Sequence, residues 1–113
     1  MNISTVKRPW GSFERLTHNE LSTVKLIYVS KGEETSLQYH HKREEFWKII
    51  SGHPCLVIGD DIINSKVGEE YTVLSEKKHR ISAPNDDIIL LEISTGDFDE
   101  DDIVRVEDKY NRI

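Results

Sequence analysis

Apolar and β-branched residues recur in this chain as short runs, and a turn signal closes nearly every one. Residues 23–29 (TVKLIYV) end at Lys31-Gly32, and residues 35–40 follow. Residues 45–50 (EFWKII) run into Ser51-Gly52, and residues 55–58 (CLVI) reach Gly59-Asp60-Asp61, a hairpin turn into Ile62-Ile63. Residues 71–74 follow Gly68, and residues 87–94 supply a long apolar strand. No window holds the 3.6-residue apolar period of an amphipathic helix. The best helical candidate, residues 42–48, is short, and its aromatics favour a strand. Short runs at intervals of about ten residues predict an all-β chain: a sandwich, jelly roll or small barrel. The 113 residues carry no repeat, linker or low-complexity stretch, so residues 1–113 read as a single domain.

The formal charge is −6, which provides no basic field for phosphate backbones and excludes general nucleic-acid binding. Much of the negative charge lies in residues 97–102 (DFDEDD), read as a solvated tail or a strand-exchange segment, so an anion pocket elsewhere stays open. No stretch approaches the ~18 consecutive apolar residues of a membrane span. Residues 1–8 lack the apolar core of a secretory signal. One cysteine, Cys55, cannot make an internal disulfide and reads as a buried inert thiol. These features together predict a cytoplasmic protein with no membrane partner.

Period-two geometry puts Gln38 and His40 on one face of a strand, and Glu45 on the face of Trp47 and Ile49. A barrel can gather these inward residues with His79, giving an amide oxygen, two imidazoles and a carboxylate. Such a mixed set suits one divalent transition ion and leaves positions open for water or substrate. Spacing alone is weak support, because a single histidine on a strand is more often packed or surface-exposed. Of the other histidines, His41 faces away from Gln38 and His40, and His18 and His53 sit by turns in solvent.

The flanking glycines add specificity. Gly32, five residues, Gln38-Tyr39-His40, four residues, Glu45, six residues and Gly52 resemble the first motif of the cupin superfamily, with Gln38 in place of its usual first histidine. Gly68, ten residues and His79 resemble the second. Within cupins, the chain is similar to the type II mannose-6-phosphate isomerase domain, which also forms the C-terminal part of bifunctional mannose-1-phosphate guanylyltransferases. Residues 8–14 (RPWGSFE), 36–43 (SLQYHHKR), 45–47 (EFW) and 100–105 (EDDIVR) carry the similarity, and Tyr110-Asn111-Arg112 echoes the family's C-terminal Tyr-Gly-Arg. The chain departs from the family at Lys42, where a third histidine is common, and at Phe46, where histidine is common. It departs again at Leu74-Ser75-Glu76, where the family has Pro-x-Gly, and around Ala83, where it has asparagine.

The resemblance implies a double-stranded β-helix, the cupin jelly-roll barrel, with metal ligation by Gln38, His40, Glu45 and His79. Zinc is the first choice of ion, with manganese, cobalt or nickel acceptable. It implies a sugar phosphate as substrate, most of all mannose 6-phosphate converted to fructose 6-phosphate, and a homodimer. Glu14, Lys42, Arg43 and Arg105 are the candidates for catalysis, with Glu14, Lys42, Glu44 or a metal-bound hydroxide as the base. Arg8, Lys25, Trp47 and Arg112 are the candidates for substrate binding, since arginine forks match phosphate. Trp10 is expected to pack. The chain has no Gly-rich phosphate loop, so these residues carry no guanylyltransferase activity. The alternatives are a non-catalytic sugar- or nucleotide-sugar-binding cupin and a cupin of another class, such as a dioxygenase.

Overall fold

The computed structural model describes residues 3–113, which form antiparallel strands and, among the described residues, no α-helix. The strands are β1 (Ser4–Arg8), β2 (Gly11–Arg15), β3 (Ser22–Val29), β4 (Leu37–Tyr39), β5 (Glu44–Ser51), β6 (Cys55–Ile58), β7 (Asp61–Asn64), β8 (Glu70–Val73), β9 (His79–Ser82), β10 (Ile88–Thr95) and β11 (Val104–Glu107). One sheet runs β3-β10-β5-β8, a second runs β11-β4-β9-β6-β7, and β1 pairs only with β2. The two larger sheets face each other across the core as a jelly-roll barrel.

Alternation decides what lies inside. On β5, Glu45, Trp47 and Ile49 are buried, while Lys48 and Ile50 face out. On β10, opposite them, Ile88, Leu90, Glu92 and Ser94 turn inward. The other sheet adds Leu56, Ile58 and Ile81 from β6 and β9. Trp47, Leu56, Val73 and Leu90 are fully enclosed, the burial expected of the best apolar runs. One inward row of the four-stranded sheet is polar: Lys25 on β3 pairs with Glu92 on β10, which pairs with Trp47 on β5. One row of the five-stranded sheet is polar too, with Arg105, Gln38 and His79 on successive strands.

The β1–β2 hairpin packs little. Trp10, at its turn, is 73% exposed, against the expectation that it packs. Its ring stacks on Phe13, 6.5 Å away centroid to centroid. Residues 97–102 are not a free tail. They fold back over loop 40–43, where the Asp102 carboxylate accepts the His41 and Lys42 backbone N–H groups at 2.9 and 3.0 Å. Cys55 is half-buried rather than enclosed, and no helix among the described residues is long and apolar enough to cross a membrane.

Candidate metal centre

Three buried side chains from three parts of the chain meet inside the barrel. His40, Glu45 and His79 each place one ligand atom within 4.8 Å of the others. His40 Nε2 lies 3.3 Å from Glu45 Oε2, and His79 Nε2 lies 3.8 Å from Glu45 Oε1. Each imidazole is turned by its other nitrogen. His40 Nδ1 bonds the Asp102 carbonyl at 2.6 Å, and His79 Nδ1 bonds the Lys77 carbonyl at 2.9 Å. A carbonyl can only accept, so both Nδ1 atoms carry the proton and both Nε2 atoms point at Glu45.

His79 Nε2 is buried without a hydrogen-bond partner. Burial holds the His79 pKa below its ordinary value, with Glu45 opposing, which keeps the ring neutral and this lone pair available. An unshared imidazole lone pair aimed at a second imidazole and a carboxylate fits a divalent ion, and the carbonyl bonds behind both rings are the usual support of ligating histidines. His40, Glu45 and His79 would hold the ion.

Glu45 is also held by its neighbours. Trp47 Nε1 donates to Oε1 at 2.9 Å, and Arg43 Nε donates to Oε2 at 3.2 Å. Burial pushes the Glu45 carboxyl up, but the facing imidazoles of His40 and His79, when protonated, and the Trp47 N–H bring it down to about 2. Arg43 also sets Nη2 3.1 Å from His40 Nε2 and Nη1 3.3 Å from the Asp99 carbonyl. Its guanidinium therefore lies against the same atoms an ion would use, stacked 4.4 Å over the Phe98 ring.

The other candidates scatter. Gln38 faces inward beside His79, and its amide oxygen accepts from Ser36 Oγ at 2.9 Å. Lys25 faces inward, bonds Glu100 at 3.0 Å and also lies over the Phe98 ring, 4.4 Å from its centroid. Trp47, expected to line a substrate surface, is fully enclosed with its ring edge-on to His79, so it forms the wall behind the ligands instead. Glu14 lies elsewhere, because it bonds Lys48 at 3.1 Å on the outer face of the four-stranded sheet. Arg8 lies on the exposed hairpin over Phe13, and Lys42 is exposed on its loop. Arg105 and Arg112 line a common cavity.

Sequence reasoning missed Glu92. It is buried on β10, accepts from Ser94 Oγ at 3.3 Å, and is pushed up to about 7 by burial and the Glu45 charge, with Lys25 and Arg43 opposing. The signal was a lone carboxylate at an inward position of an apolar strand, where charge is rare without a role.

Fold and site together define a cupin barrel with a candidate metal centre. A cupin protein from Bacteroides fragilis matches over 66% of this chain and 65% of its own, with a TM-score of 0.62 at 23% identity. A putative sugar phosphate isomerase from Acidithiobacillus ferrooxidans matches over 66% of this chain and 49% of its own, with a TM-score of 0.60 at 25% identity. The chain belongs to the family described as "Mannose-6-phosphate isomerase C-terminal", which matches residues 1–108. Among curated relatives, the xanthan biosynthesis protein XanB of Xanthomonas campestris pv. campestris (strain B100) is 35% identical over 109 residues, 95% of this chain and 23% of that protein. The alginate biosynthesis protein AlgA of Pseudomonas aeruginosa is 33% identical over 113 residues, 98% of this chain and 24% of that protein. The chain spans about a quarter of the length of these relatives.

Proposed function

We propose that this chain is a metal-dependent aldose–ketose isomerase acting on a sugar phosphate, with mannose 6-phosphate and fructose 6-phosphate as the pair to test first. The observation that supports it is the orphaned His79 Nε2, converging with His40 and Glu45 inside a barrel of the mannose-6-phosphate isomerase family.

Interconverting C1 and C2 carbonyls requires a proton to move between these carbons and negative charge to be stabilised on oxygen. A divalent ion, when bound, supplies positive charge next to that oxygen. His79 offers an unshared Nε2 lone pair, His40 turns its Nε2 the same way, and Glu45 stays ionised across the physiological range. Arg43 faces the same space and holds a second positive charge there. For the proton, Glu92 is the inward carboxyl beside Glu45 and in the row with Lys25, whereas Glu14 is outside the barrel. We assign the transfer to Glu92. The protein is proposed to act in the cytoplasm as a homodimer, for which the open β3 edge, with Val24, Leu26 and Tyr28 exposed, is the support.

The test is proton NMR of mannose 6-phosphate in deuterated buffer with chain loaded separately with zinc, cobalt or manganese, each sample quenched and stripped of metal before reading. Fructose 6-phosphate or loss of the C2 proton is expected, and Glu92→Gln should lose both while keeping its metal. No change with any ion, in folded and loaded protein, overturns the isomerase. A second reading, a sugar-phosphate-binding domain without turnover, draws support from Arg43 lying on the ligand atoms of Glu45 and His40.

A further inference from the structure

The polar row on the inner face of the five-stranded sheet reaches well past the metal centre. Arg105 on β11 stands opposite Gln38 on β4, and Gln38 stands opposite His79 on β9. Residues directly opposite in a ladder project from the same face, so the three side chains stand in line inside the barrel. Neighbouring strands are about 4.8 Å apart, which sets the Arg105 backbone roughly 10 Å from that of His79.

Arg105 differs from the other inward or cavity-lining arginines in having nothing to hold. Arg43 bonds Glu45 and the Asp99 carbonyl, Arg80 bonds Glu107 and the Thr35 carbonyl, and Arg112 is clamped by Asp108. Arg105 makes no side-chain hydrogen bond or ion pair with a described residue, and its Nε is buried. A buried donor left unmade costs on the order of 1–3 kcal/mol, a cost that calls for an acceptor from outside the fold. The guanidinium borders a cavity of about 370 Å³ between the β3 edge and β4, shared with Ser36, Gln38, Tyr110 and Arg112. That volume falls in the range of small-molecule sites, about 300–1,000 Å³. Two carboxylates also border it. Glu33 is paired with Lys109, 3.1 Å away, and accepts from the Tyr110 hydroxyl, while Glu34 lies 3.9 Å from Arg80.

We propose that Arg105 anchors the phosphate of a sugar phosphate whose carbonyl end lies at His40, Glu45 and His79, with Gln38 facing the hydroxyls between. This rests on the sugar-phosphate reading above and gives it a direction. From C2 to phosphorus, a hexose 6-phosphate spans six bonds, roughly 7–8 Å when extended at about 1.5 Å per bond. The backbone span of the row, roughly 10 Å, is of that order. A triose phosphate is too short to meet both ends, and an unphosphorylated hexose lacks the group that Arg105 takes. A guanidinium fork meeting phosphate oxygens is the strong, geometrically selective form of that contact.

Calorimetric titration of the full chain with fructose 6-phosphate, fructose and inorganic phosphate tests the anchor. Arg105→Met should weaken fructose 6-phosphate ten- to hundredfold while leaving bound zinc and the melting temperature unchanged, since no hydrogen bond or ion pair is lost and methionine keeps the apolar stem. Arg105→Lys should fall between, keeping charge without the fork. Equal affinity of Arg105→Met and the parent chain for fructose 6-phosphate overturns the anchor, as does a parent chain that binds fructose as tightly as its phosphate. The isomerase reading fails separately. Tight, Arg105-dependent binding with no exchange at C2 leaves the anchor and removes turnover, whereas turnover with unchanged Arg105→Met affinity does the reverse.

Discussion

Glu45 and Glu92, at diagonal positions on adjacent strands, are driven apart by their surroundings. Glu45 is held down to about 2 by donors and positive charge despite burial, and Glu92 is pushed up to about 7 by burial and by Glu45 itself. A pair whose protonation states separate this way divides into an ionised and a protonatable member. The effects on stability have opposite signs. Glu45 contributes stability above its unfolded value of 4.5, lost as pH falls toward about 2. Glu92 favours the proton, so its contribution is complete below 4.5 and is lost as pH rises toward about 7. Glu92→Gln should therefore match the parent near pH 5 and exceed it at pH 8 by on the order of 1–3 kcal/mol, read from urea midpoints at the two pH values. An equal gap at both pH values would count against a buried, protonated Glu92.

At the scale of elements, two glycines that flank the ligand strands have different reasons to be there. Gly52 ends β5 at φ +83°, and a Cβ on it would sit 2.4 Å from the Asp87 carbonyl oxygen and 2.8 Å from Ile88 Cγ2. Gly68 has φ +90° with nothing within 4 Å of the same position. Gly68→Ala should carry only the left-handed backbone cost, about 1–2 kcal/mol, while Gly52→Ala should lose more than that, because the clash is with backbone that closes the barrel. Paired thermal melts separate the two, and equal losses would mean that the Asp87 turn yields. These glycines also show how much was legible in the sequence. β3, β5, β6, β8 and β10 could be read because each is a short apolar or β-branched run bounded by turn residues. The β1–β2 hairpin was missed because it buries neither face and so carries no period. β9 and β11 were missed because each is four residues of mixed polarity, placed by partners far along the chain. In the site, the shared face of Gln38 and His40 followed from their spacing. Arg43 lying on the ligands, the enclosure of Trp47 and the carbonyl behind each imidazole depend on how loops cross, which no local pattern encodes.

For the whole molecule, protection from exchange should be uneven. β10 is paired on both sides, to β3 and β5, whereas the β1–β2 hairpin has only its own pairing, and an isolated hairpin is marginal in water. Hydrogen exchange should be fastest in β1 and β2 and slowest in β5 and β10. If the proposed homodimer covers the hairpin or the β3 edge, protection there should grow with protein concentration, and concentration-independent rates would argue for a monomer. The register that builds the site also sets when it can form. Val24 meets Ile93, and Arg105 meets Gln38, so both sheets close through residues separated by most of the chain. Folding dominated by such distant pairings is slow, on the order of milliseconds to seconds, because chain entropy is lost before contacts repay it. His40, Glu45 and His79 come from separate strands and loops of that closure, so a half-made barrel offers no competent chelate. During refolding, ion capture is thus a late event that times completion of the barrel rather than a nucleus that guides it.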